Sequence, residues 1–123
     1  MQYVGIEVLE GKYLRDVIVG GDYIVFETDD GETYRMEHFQ DCCESVYIES
    51  ISGDVKDLIG ARINLAQEVS DEAYEAEKSP PTEYYESYTW TFYKLATYKG
   101  YVDIRWYGES NGYYSERVDF YKV

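Results

Sequence analysis

Two arginines and a set of aromatic residues between Ser87 and Val123 have the types and spacing that anion and base recognition uses. Arg105 and Arg117 each carry a planar fork of donors that matches a phosphate. Tyr88, Trp90, Tyr107 and Tyr113 offer ring faces for a nucleobase, and base–aromatic stacking is worth about 1–3 kcal/mol per base in single-strand binders. Asn111 could read a base edge or a ribose hydroxyl through its side-chain amide. Charge singles out the same region. The 123-residue chain holds 11 basic and 25 acidic residues, net −14. Residues 1–86 carry 6 basic and 21 acidic residues, whereas residues 87–123 carry 5 and 4. A small anion can sit in the near-neutral part without opposing a field of like sign.

A second group, His38, Asp41, Cys42 and Cys43, contains metal-ligand types. Structural zinc sites space their cysteines two to four apart and use four ligands, and no second Cys/His pair exists, so no metal is expected. His38 is the one histidine and could act as a base, with Cys42 or Cys43 as nucleophile. Asp41 and Glu44 beside the thiols disfavour a thiolate, which argues against that chemistry. Adjacent cysteines cannot tie distant segments together, and a bond between neighbours is strained, so free thiols in a reducing compartment are expected. The chain shows no glycine-rich phosphate loop and no nucleophile elbow. No catalytic residue and no cofactor are assigned.

These side chains need elements to hold them. YLRDVIV, Gly20-Gly21 and DYIVFET read as a hairpin, and Asp29-Asp30-Gly31 as a second turn leading into ETYRMEH. Ile24 and Phe26 share one face, Tyr23 and Val25 the other. SVYIESI reads as a strand, Ser52-Gly53-Asp54 as a turn and N-cap, and DVKDLIG as a short helix ended by Gly60. Ile63, Ala66 (or Leu65), Val69 and Ala73 recur every three or four residues and predict a helix. Ser79-Pro80-Pro81-Thr82 breaks the pattern. The segment IEVLEG reads as one helical turn or a strand. From Ser87 a three-stranded meander is expected, with GESNG as its second hairpin loop. Val102, Ile104, Trp106, Val118 and Phe120 form its apolar face, and Arg105, Tyr107, Tyr113 and Arg117 its polar face. In that register Asp103 lies opposite Arg117, an ordinary cross-strand ion pair. A tyrosine-rich face of this kind also suits a subunit interface.

The expected fold class is therefore α+β, an antiparallel meander sheet with one or two short helices packed on one face, in a single domain spanning residues 1–123. No apolar run approaches the roughly 18 residues of a membrane span, and no signal-peptide pattern is present, so a cytoplasmic protein is expected. The acidity disfavours DNA or RNA as a partner.

Two segments carry a family resemblance. One is His38-Phe39-Gln40-Asp41-Cys42-Cys43-Glu44-Ser45-Val46 with the following IESISGDVKDLIG. The other is ESYTWTFYKLATYKGYVDIRWYGESNGYYSERV, residues 86–118. Together they resemble an uncharacterised small-domain family of phages and prophages, which implies a small phage protein without a known catalytic motif. The size, the sheet-plus-helices layout and the phage setting also resemble the first described Thoeris anti-defence family. That resemblance implies a non-enzymatic protein that sequesters a cyclic ADP-ribose isomer made by bacterial TIR enzymes and assembles as a homo-oligomer, dimer or higher. That family's binding residues are not carried over to this chain, and the site residues named above rest on strand parity and chemistry. The expectation is an anti-defence protein that holds a cyclic nucleotide-type immune signal without cleaving it. The rival is an acidic inhibitor, an anti-CRISPR or nucleic-acid mimic, that binds a host protein through residues such as Glu72, Glu75 and Glu77. A third possibility is an oligomerisation module with the tyrosine face between subunits.

Overall fold

Alternation of buried and exposed residues dominates the chain. Ile24, Phe26 and Thr28 point inward while Tyr23, Val25 and Glu27 do not, the period-two signature of a half-buried strand. The computed structural model describes residues 1–70 and 87–123. Among them are nine strands: β1 Gln2–Tyr3, β2 Leu14–Val19, β3 Tyr23–Thr28, β4 Thr33–Glu37, β5 Ser45–Ser52, β6 Leu65–Ser70, β7 Ser87–Thr97, β8 Gly100–Ser110 and β9 Asp119–Lys122. They form two sheets with every neighbour antiparallel, one ordered β1-β9-β4-β3-β2 and the other β5-β8-β7-β6.

One core lies between the sheets. Leu14, Ile24, Phe26, Met36 and Phe120 enter it from the first sheet, and Tyr93, Leu95, Val102, Ile104 and Trp106 from the second. Trp106 donates its indole N–H to Met36 Sδ at 3.3 Å across this interface. The β2–β3–β4 hairpins turn where the glycines predict, at Gly20-Gly21 and at Asp29-Asp30-Gly31, with Gly31 at φ +90°. The longest ladder joins β7 and β8, eleven residues each, through a turn at Tyr98 and Lys99.

The expected α+β class is corrected to a mostly β, two-sheet architecture. The only helical pieces among the described residues are two 3₁₀ turns, Ile6–Leu9 and Val55–Leu58. Asp54 caps the second by accepting from the Lys56 N–H at 2.9 Å, and Gly60 follows at φ +74°. The helix expected from Ile63 is absent over its described part. Leu65–Ser70 instead pairs with β7, from Leu65 opposite Ala96 to Ser70 opposite Thr91. LAQE is a good helix-forming run, but intrinsic propensity is a weak prior that pairing with a long partner strand overrides. Ala73, Glu72, Glu75, Glu77 and the Ser79-Pro80-Pro81-Thr82 break lie outside the described residues.

The expected meander is corrected too. β9 does not return beside β8 but crosses to the first sheet, between β4 and β1. Asp103 therefore faces Lys94 and Ser52 rather than Arg117. The connecting segment folds over the end of β8, where a Cβ on Gly108 would stand 2.5 Å from the Glu116 carbonyl oxygen. Only glycine leaves room for that close approach.

Candidate functional site

Three of the singled-out aromatic residues, Tyr88, Trp90 and Tyr107, converge on the face of the second sheet turned away from the main core. Trp90 and Tyr107 lie opposite one another with ring centroids 4.8 Å apart, and Tyr47 of β5 and Tyr88 pack against Tyr107. Arg105 joins them, its guanidinium 5.6 Å from the Trp90 ring centroid. A bulge at Glu49 of β5 aims that carboxylate at Arg105, whose Nε donates to it at 2.5 Å.

This arrangement has the composition of a base-stacking site but not its access. Trp90 is 4% exposed and Tyr107 is fully buried, so neither presents a ring face to a ligand. Tyr107 also donates its hydroxyl to the buried Glu109 at 2.8 Å, and burial followed by that bond raises its phenol far above the ordinary value. The recess beside Arg105, lined by Ser50, Ser52, Phe92 and Asp103, encloses about 60 Å³. That is room for about two waters. The cluster is a second small core under an arginine–glutamate pair.

The other predicted residues lie elsewhere. Asn111 accepts the Tyr113 N–H at 3.0 Å, a side-chain turn within the 111–118 segment. Tyr113 is exposed and packs edge-on against Tyr114. Arg117 is drawn away by β9 and reaches a different cavity.

That cavity, about 290 Å³, opens between β1 and β9 of one sheet and β6 and β7 of the other. Its size is near the lower end of small-molecule sites. Tyr3, Glu7, Glu68, Tyr93, Arg117 and Asp119 supply its polar groups. Tyr93 stands at its floor, buried, and donates its hydroxyl to Glu68 at 2.6 Å. Burial, then the Glu68 charge, drives the Tyr93 phenol strongly upward, so it stays a neutral donor. Arg117 projects into solvent at the rim, its Nε 3.5 Å from Asp119 Oδ1. Three carboxylates and one guanidinium therefore line the cleft. The carboxylates suit the hydroxyls and amino groups of a nucleoside, and the rim arginine suits a phosphate.

Strand parity missed Glu7, Glu68 and Tyr93, which belong to three separate elements. The missed signal for Arg117 is Glu116. It falls on the supposed apolar face between Tyr114 and Val118, where a continuous strand would have to bury its charge.

A loop beside the cleft centres on another buried carboxylate. Glu44 accepts from the Asp41 N–H at 2.8 Å, the Cys42 N–H at 2.8 Å and His38 Nε2 at 2.7 Å. Burial pushes its carboxyl up, but the bonds from Cys42, Asp41 and His38 outweigh burial and bring it down to about 2. His38 Nδ1 donates to the Arg117 carbonyl at 2.8 Å. The free thiols expected here are corrected: the chain bends at Cys42 and Cys43, around Glu44, and the two residues are joined as a disulfide. No group of three or more His, Cys, Asp or Glu side chains suited to a metal occurs among the described residues. No helix among them is long and apolar enough to cross a membrane.

No curated protein and no solved structure matches the chain. A family described as a domain of unknown function, DUF7448, matches residues 5–120, in keeping with an uncharacterised small-domain family. Nearly the whole chain lies within that match, and the protein belongs to the DUF7448 family.

Proposed function

We propose that the protein is a non-enzymatic binder of a small nucleotide-like molecule, and that it uses the cleft between the two sheets. The observation that carries this reading is the cleft itself: about 290 Å³, with Arg117 at its rim and the Tyr93–Glu68 pair at its floor. A nucleoside would give its hydroxyl and amino protons to Glu7, Glu68 and Asp119, and a phosphate would draw Arg117 from Asp119. A cyclic ADP-ribose isomer, the ligand of the first Thoeris anti-defence family, is the first candidate by size and phage setting, although the sheet-plus-helices layout that also suggested it is replaced here by two β-sheets. On this reading the protein is a phage or prophage anti-defence factor, active in the host cytoplasm as a homo-oligomer.

Calorimetry with cyclic ADP-ribose isomers and with cyclic oligonucleotides tests it. The expected outcome is micromolar or tighter binding of one isomer, recovered unchanged by chromatography after the protein is denatured. Arg117→Ala is expected to weaken binding by about tenfold or more, the loss of one charge-assisted hydrogen bond. Arg105→Ala, on the far face of the second sheet, is expected to leave it unchanged. No binding of any of these ligands at micromolar concentration, with Arg117→Ala silent in a phage assay, would sink the reading. Capture of a host protein in native mass spectrometry would favour the acidic-inhibitor alternative instead.

A further inference from the structure

Cys42 and Cys43 have no role in the cleft as described, yet their loop touches it at three points. His38 Nδ1 donates to the Arg117 carbonyl at 2.8 Å. The Phe39 N–H donates to Asp119 Oδ2 at 3.3 Å. The Phe39 ring packs edge-on against Tyr3, centroids 6.2 Å apart. Arg117, Asp119 and Tyr3 all line the cleft. The loop is in turn held by the peptide groups around the cysteines. The Cys42 N–H bonds to Glu44 Oε1 at 2.8 Å, and the Cys42 carbonyl accepts from Gln40 Nε2 at 3.2 Å. Both cysteines are exposed, so a small thiol or disulfide can reach them.

We propose that Cys42 and Cys43 form a reversible dithiol–disulfide site, exchanging with a low-molecular-weight disulfide such as oxidised glutathione, and that its state is transmitted through Glu44 and His38 to the rim of the cleft. In the oxidising direction one cysteine thiolate attacks glutathione disulfide and releases one glutathione thiolate. The neighbouring thiolate then attacks the mixed disulfide at the cysteine sulfur and releases the second. The pair loses two electrons to the two glutathiones, and its two thiol protons end on them or on solvent.

Closing the bond makes a small ring that contains the Cys42–Cys43 peptide, so it restrains the unit that carries the Cys42 carbonyl. Opening the bond separates the sulfurs to van der Waals distance and frees that peptide to turn. The Gln40 and Glu44 contacts weaken, and with them the grip of Glu44 on His38. Asp41 and Glu44 disfavour the thiolate, so exchange is slow and follows the standing thiol–disulfide balance rather than a brief oxidant pulse. The site itself stands without the nucleotide reading; only its consequence for ligand affinity rests on that reading.

The test equilibrates the protein in glutathione buffers of graded redox ratio, counts thiols by intact mass after alkylation, and follows amide hydrogen exchange. Two alkylatable thiols should appear at the reducing end and none at the oxidising end, reversibly. In the oxidised form the Asp41 and Cys42 amides should exchange roughly tenfold more slowly, with a change also at residues 117–119. Cys43→Ser should take up one glutathione and show neither effect. His38→Ala should keep the thiol chemistry and the loop response but weaken the response at 117–119, most at Arg117, since the Phe39 N–H bond to Asp119 remains. A pair that never changes state across the range overturns the proposal, as does a full conversion that leaves 117–119 unmoved in the parent protein. Both results are read without nucleotide, so a cleft that binds none leaves this test intact.

Discussion

Glu44 holds its loop from the inside, and its ionisation is worth more to the folded chain than to the unfolded one. Its carboxyl falls from the ordinary 4.5 to about 2 because donated hydrogen bonds outweigh burial. Glu32 falls to about 2 as well, chiefly through the side-chain bond from Lys12, with Lys122 next. A lowered carboxylate contributes stability that is complete above the unfolded value and is lost as pH falls through the folded one. Thermal melts should therefore decline as pH drops from about 4.5 toward about 2. Glu44→Gln should melt lower than the parent near neutrality and lose less than the parent over that acid window. Equal slopes for the two proteins would remove Glu44 from the account. At the cleft floor, Tyr93→Phe removes the donor to Glu68 and should cost about 1–3 kcal/mol in chemical denaturation, as for a hydrogen bond to a charged group.

At the scale of the element, the turns were legible from local chemistry, whereas the pairing of β6 and β9 depended on distant partners. Gly20-Gly21 and Asp29-Asp30-Gly31 announce their turns through their own chemistry, and the β2–β3–β4 hairpins follow. The burial of Val102, Ile104 and Trp106 also follows from alternation. β6 defeats the same reasoning, since Ile63, Ala66 and Val69 fit helical spacing and only β7 decides the outcome. The candidate site was half legible for the same reason. Arg105 and Tyr107 share a face as expected and Trp90 joins them there, but the burial of those rings is a tertiary fact. Arg117 lies apart from Arg105, at the rim of the cleft, because its position depends on the crossing to β9. Gly108 tests that crossing. Gly108→Ala places a methyl group against the Glu116 backbone and should cost about 1–3 kcal/mol, as overpacking does, with altered exchange along 111–118 rather than in β2–β4.

For the molecule as a whole, both sheets contribute to one main core, so they are expected to unfold together. Ile104 is fully buried in that core. Ile104→Ala should cost about 2–5 kcal/mol, with a single denaturation transition followed alike by tryptophan fluorescence and by circular dichroism. Two separated transitions would show that the sheets melt independently.

The place of β9 carries a consequence in time rather than in space. Residues 119–122 fill the slot between β1 and β4, near the middle of the first sheet, although every other strand precedes them in sequence. During synthesis the backbone edge of β4 must wait until residues 119–122 are made, and until β9 arrives it is an open template for unintended pairing. A domain wired this way should fold slowly for its size, and should depend most on chaperones until β9 has left the ribosome.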